Sequence, residues 1–266
     1  MSLLNKHKLL SAITAVALLV APAVAAQTAE EKGLAIAKER KLRDFGWQDS
    51  QSDMSMILRN AQGNESVRSM RLQALEVADD GDKGLTIFDE PRDVKGTAFL
   101  NFSHPTEPDD QWMYLPALKK VKRISSRNKS GPFMGSEFAF EDMSSFEVEK
   151  YTYKYLRDES FNDQLCFVVE QVPVDENSGY TRQIAWIDTV HYRPLKVEFY
   201  DRKNSLLKTL TAHDYQLFLE KHWRPMRVQM YNEQNHKSTE LITHSYQFKT
   251  GLEDKDFDNS SLKRAR

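Results

Sequence analysis

The chain has 266 residues, of which 29% are charged and 40% hydrophobic. That is the balance of a folded globular protein, not of a disordered one. A net charge of -2 supplies no basic field for a phosphate backbone, which argues against nucleic acid as the main partner, and the single cysteine, Cys166, excludes an intramolecular disulfide.

At the start, Lys6 and Lys8 precede an uncharged apolar run over residues 9–21, closed by Pro22 and the small residues Ala23, Val24, Ala25 and Ala26. This is the form of a cleavable secretory signal peptide over residues 1–26. The run is too short for a membrane span, which needs about 20 apolar residues. Residues 27–266 then form a single mature domain in the periplasm.

Thr28 and Glu31 next have the capping-box spacing, and residues 30–43 are rich in Ala, Leu, Lys, Arg and Glu, which predicts one helix. From Ser52 the pattern changes to short alternating segments. Residues 55–59 and 66–77 flank the turn signal Gln62-Gly63-Asn64. Further strands are expected at 84–88, 96–102, 111–115 and 119–124, and then at 151–157, 165–172, 181–188, 195–201, 206–215, 225–231 and 240–248. This spacing with few helices predicts a mainly β fold built on one continuous antiparallel sheet. A sheet of that length twists and curls toward a barrel, so its concave side needs filling. The N-terminal helix and residues 131–146, which do not read as strand, are the candidate plugs.

Catalytic motifs are scarce. The seven histidines show no His-Glu-x-x-His or Cys/His metal spacing, and neither a Gly-x-Ser-x-Gly elbow nor a glycine-rich phosphate loop occurs. Cys166 lies in an apolar strand-like run and reads as a small core hydrophobe. The informative stretch is residues 93–143. It holds Lys95-Gly96-Thr97-Ala98-Phe99-Leu100, then the run Trp112-Met113-Tyr114-Leu115-Pro116-Ala117, and later Phe133-Met134-Gly135-Ser136-Glu137-Phe138-Ala139-Phe140. Period-2 alternation puts Trp112 and Tyr114 on one face and Met113 and Leu115 on the other, so both faces are apolar. Either a helix covers the second face or that face lines a lipid-binding concavity. Phe133, Met134, Phe138 and Phe140 form either a mobile apolar flap or a loop whose aromatics tuck into the core. Lys119, Lys120, Lys122, Arg123, Arg127 and Lys129 make a dense basic patch, suited to an anionic headgroup or acidic partner, or to a solvated edge strand.

With these segments the sequence resembles the outer-membrane lipoprotein-sorting protein family, the LolA/LolB-like periplasmic carriers. Within it, the chain resembles the branch found beside lipid exporters of the resistance-nodulation-division type. The resemblance implies an unclosed, half-barrel sheet with an N-terminal helix and a mid-chain plug on its concave side. It implies an apolar cavity for acyl chains, with Phe99, Trp112, Tyr114, Phe133, Met134, Phe138 and Phe140 as candidate lining. Lys119, Lys120, Lys122 and Arg123 become candidate headgroup or partner contacts. Such a carrier needs no catalysis, cofactor or metal. Its expected partners are lipid or lipoprotein acyl chains and an inner-membrane transporter. The alternative is an accessory protein of that transporter with no lipid cargo.

Overall fold

The computed structural model describes residues 27–264, and the expected signal peptide lies outside them. The predicted helix is present as α1 (Ala29–Asp44), opened by a capping box in which the Thr28 hydroxyl accepts from the Glu31 N–H and the Glu31 carboxylate accepts from the Thr28 N–H. Two orphan donors of the first turn are thereby satisfied.

Thirteen strands follow: β1 (Asp49–Arg59), β2 (Glu65–Leu75), β3 (Lys83–Glu90), β4 (Ala98–Phe102), β5 (Asp110–Leu115), β6 (Lys120–Ile124), β7 (Tyr151–Phe161), β8 (Gln164–Pro173), β9 (Arg182–Asp188), β10 (Pro194–Tyr200), β11 (Leu206–Phe218), β12 (His222–Asn232) and β13 (Ser238–Phe248). Each expected strand has its counterpart. A short C-terminal helix, α2 (Asn259–Arg264), was not expected.

All thirteen strands share one antiparallel sheet, in the order β6-β5-β4-β3-β2-β1-β13-β12-β11-β10-β9-β8-β7. The first and last strands pair at its centre, so two meanders run outward from the β1–β13 seam and end at the unpaired edges β6 and β7. The sheet is therefore an open half-barrel, as the resemblance implied.

Residues directly opposed across antiparallel strands point to the same face, and the register makes the inner face continuous. Met56 lies opposite Leu241, Met54 opposite Met70, and Met70 opposite Phe88; in the other arm Val197 lies opposite Leu210 and Ala185. These residues belong to one core cluster with Ile36 and Ala37 of α1. Helix α1 lies against β7, where Gly33 approaches so closely that a Cβ there would sit 2.8 Å from the Tyr155 backbone nitrogen. The lack of a side chain at Gly33 lets the helix dock.

The chain passes from β6 to β7, the two ends of the sheet, through residues 125–150, which fold as short 3-10 turns packed into the inner core. A second cluster lies on the outer face of β3–β6, where Leu85, Ala98 and Leu100 pack with Phe257 and Leu262 of the C-terminal segment.

Candidate functional site

The plug is fastened at many points. Within it, the Phe133 N–H donates to the Phe138 carbonyl at 2.7 Å, the Phe140 N–H donates to the Gly131 carbonyl, and the Ser136 hydroxyl donates to the Phe133 carbonyl at 2.6 Å. Around it, contacts come from both arms of the sheet. Arg68 of β2 donates to the Met134 carbonyl, Gln111 of β5 to the Phe140 carbonyl, and Asn232 of β12 to the Glu137 carboxylate. Lys208, from β11, is 4% exposed, and its ammonium donates to the Glu137 carbonyl at 2.9 Å and to Asp142 at 2.8 Å. Beyond β8, the Ser178 hydroxyl and Gly179 N–H donate to Glu141, and the Tyr180 hydroxyl donates to Asp142. Burial, then the neighbouring Asp142 charge, push the Glu141 carboxyl pKa up. A segment held this way is a fixed strut between the arms.

The aromatic residues expected to line a cavity separate into two groups. Phe99, Phe133 and Phe138 are buried in the inner cluster, with Met134 and Phe140 half-buried against it. The Phe133 ring is fully buried and lies 5.0 Å from Phe99, 5.7 Å from Phe140 and 6.0 Å from Phe88, centroid to centroid. Trp112 and Tyr114 are on the opposite face. Trp112 lies opposite Leu100 and Tyr114 opposite Ala98, both in the outer cluster beneath Phe257 and Leu262, and Trp112 meets the Phe102 ring edge-on at 5.2 Å. Their assignment to the concave wall is thus corrected: alternation separates the faces of a strand but does not say which one is concave. Phe99 instead lies opposite Met113, and Leu115 packs against the same inner cluster.

The basic patch is also divided. Lys120 and Lys122 lie opposite Leu115 and Met113, on the inner side of the edge strand, whereas Arg123 lies opposite Trp112 on the outer side and ion-pairs with Asp110. Lys119 sits in a left-handed turn before β6. All four are exposed, as charges on a free sheet edge should be.

A cavity lies elsewhere, between the centre of the sheet, the C-terminal half of α1 and the end of the plug. It measures about 530 Å³, within the range of about 300–1,000 Å³ for a small-molecule site. Its apolar wall includes Leu72, Phe146, Leu210, Val228 and Leu241, and of the seven residues expected to line a cavity only Phe138 borders it. A sequence signal for this wall exists in β12, where Met226, Val228 and Met230 alternate with Arg227 and Gln229.

Cations ring the cavity. Lys41 pairs with Glu147 at 2.9 Å, Arg193 with the buried Asp188 at 2.9 Å, and Arg224 with Asp44 at 2.5 Å. Asp188 accepts further from the His191 and Arg193 N–H groups; burial pushes its pKa up, but these bonds hold it below the usual value. Among the described residues no cluster of three or more His, Cys, Asp or Glu side chains could hold a metal, and no helix is long and apolar enough to cross a membrane.

This architecture has solved counterparts. A domain of an outer membrane lipoprotein-sorting protein from Vibrio parahaemolyticus is 65% identical and superposes with a TM-score of 0.87, matching 88% of this chain to 100% of that one. The chain belongs to the outer-membrane lipoprotein-sorting protein family. A DUF1329 family protein from Desulfovibrio piger is 26% identical to this sorting-family chain over 88% of its length and 99% of the other, with a TM-score of 0.84. A LolA superfamily protein from Nitrosomonas europaea shares the fold at 22% identity and a TM-score of 0.69, over 86% of this chain and 98% of the other. A family profile described as uncharacterised proteins matches residues 80–264. No curated protein matches the chain.

Proposed function

We propose that this member of the lipoprotein-sorting family is a periplasmic carrier. It takes acyl chains of a lipid or lipoprotein into the cavity beneath α1, without catalysis, and moves them across the envelope in partnership with an inner-membrane transporter of the resistance-nodulation-division type. The observation that carries this reading is the apolar cavity of about 530 Å³ between sheet, helix and plug, in a chain 65% identical to a lipoprotein-sorting domain. The signal peptide expected over residues 1–26 delivers residues 27–266 to the periplasm as the carrier domain.

Each methylene moved from water into such a site contributes about 0.8 kcal/mol, so even part of one acyl chain gives useful affinity. Release then requires that the site not be a perfect mould, and the flexible Met143 side chain in its lining can re-pack when the chain leaves. The exposed Lys119, Lys120, Lys122 and Arg123 at the free edge suit an anionic headgroup or an acidic partner surface.

Protein purified from the periplasm, extracted with organic solvent and analysed by mass spectrometry, should yield lipid in stoichiometric amount. Protein that carries none, and takes up none from vesicles containing acylated lipoprotein, would reject the carrier and leave the accessory role without cargo. Neutralising the four basic residues together should weaken transfer or docking in a salt-dependent way and leave acyl-chain burial unchanged.

A further inference from the structure

The cavity's cations are unequal. Lys41, Arg193 and Arg224 each have a carboxylate partner, and Arg43 is held by Glu39 and by the Val190 carbonyl. Arg40 has no hydrogen bond and no ion pair among the described residues. Its guanidinium lies 3.9 Å from the centroid of the Phe146 ring, at the wall of the cavity. The side chain as a whole is half-buried, but its charged end is enclosed closely enough that desolvation pulls its pKa below the usual arginine value. The carboxylate whose charge acts on it, Asp44, is already engaged with Arg224.

A desolvated guanidinium with five donors and no acceptor is costly. Stacking on an aromatic face offsets part of that cost and leaves the in-plane N–H groups free. The apolar wall of Leu72, Leu210, Val228 and Leu241 belongs to the same cavity. We infer that the cavity is a site for an anionic amphiphile, with Arg40 receiving a carboxylate or phosphate headgroup while the chain lies along the apolar wall. This inference rests on the carrier reading and adds to it the charge of the cargo and the residue that reads it. Arg suits the role because its planar fork matches both oxyanions bidentately.

The test uses lipid-stripped full-length mature protein, titrated calorimetrically with dodecanoate, dodecyl phosphate, uncharged dodecanol and inorganic phosphate. Wild type should bind at least one of the two anionic amphiphiles about 10-fold or more tightly than dodecanol, and the tighter of the two names the headgroup. In Arg40→Gln that advantage should vanish while dodecanol affinity stays the same. Arg40→Lys should retain part of it, and decides the matter if Arg40→Gln does not fold. Because Arg40 has no carboxylate to lose and its guanidinium is desolvated, Arg40→Gln should unfold at or above the wild-type urea midpoint when empty. If dodecanol binds wild type as tightly as both acids, or if discrimination survives in Arg40→Gln, the assignment of Arg40 is overturned and the carrier stands. Inorganic phosphate binding as tightly as dodecyl phosphate also overturns it, in favour of a free-anion site. If no amphiphile binds at all, the carrier reading fails and this inference fails with it.

Discussion

Phe133 tests whether the plug is a strut or a flap. Its side chain is wholly buried, and three other rings lie within 6.0 Å of it. Truncating such a phenylalanine to alanine costs about 3–5 kcal/mol from lost transfer energy and the cavity left behind, and each ring contact contributes about 0.5–1.5 kcal/mol beyond area burial. The surroundings cannot collapse into the space, because Arg68, Gln111 and Lys208 donate to plug carbonyls and the Glu137 N–H donates to the Thr239 hydroxyl, which holds the plug backbone on several sides. We therefore expect Phe133→Ala to lose about 4 kcal/mol, a large part of the roughly 5–15 kcal/mol of a whole domain. The urea midpoint should fall sharply at an unchanged slope. A flap that opens in a working cycle would contribute little to global stability. A loss below about 1 kcal/mol, with fast hydrogen exchange at the Phe133 and Phe140 amides, would refute the strut and restore the gating flap that the sequence allowed.

Further outcomes follow from single contacts. Gly33→Ala adds a Cβ 2.8 Å from the Tyr155 nitrogen and 2.9 Å from that of Lys154, both backbone atoms that cannot yield; the overpacking, about 1–3 kcal/mol, should exceed the helix-propensity gain of about 1 kcal/mol. Amides of α1 should then exchange faster, and a stabilised variant would contradict the close docking. Burial, and to a lesser extent the Glu147 charge, push the Asp82 carboxyl pKa up to about 6 against the pull of Lys41. Folding therefore favours the protonated acid: its contribution is greatest below the unfolded-state value near 4 and is lost as pH rises through about 6. Asp82→Asn should flatten that decline in urea titrations run across this pH range, and an unaltered profile would exonerate Asp82. Cys166 is fully buried, with burial pushing its thiol up to about 11, so a bulky thiol reagent at neutral pH should label it only as the protein unfolds, and rapid native labelling would refute the assignment. Cys166→Ala should cost on the order of 1 kcal/mol.

The sequence by itself determined the elements and their class. Thr28 and Glu31 bracket the start of α1 because a capping box is a local arrangement, and the alternating segments carry all thirteen strands because period-2 burial is written into neighbouring residues. The short helix α2 escaped because Asn259–Arg264 is polar apart from Leu262, and six residues are too few to show a periodicity. Only the tertiary structure decided which strand face is the inner one: Trp112 and Tyr114 look as apolar as Met113, and the Phe257–Leu262 cover that claims them lies far along the chain. Pairing of the first and last strands at the seam likewise brings Leu72 of β2 to the same cavity as Leu210, Val228 and Leu241 of β11 to β13. No local pattern encodes that convergence. Arg40 reads in the sequence as one more cation on a charged helix; what sets it apart is that, among the described residues, it makes no hydrogen bond or ion pair, with Asp44 turned to Arg224 instead, and that is a property of the fold.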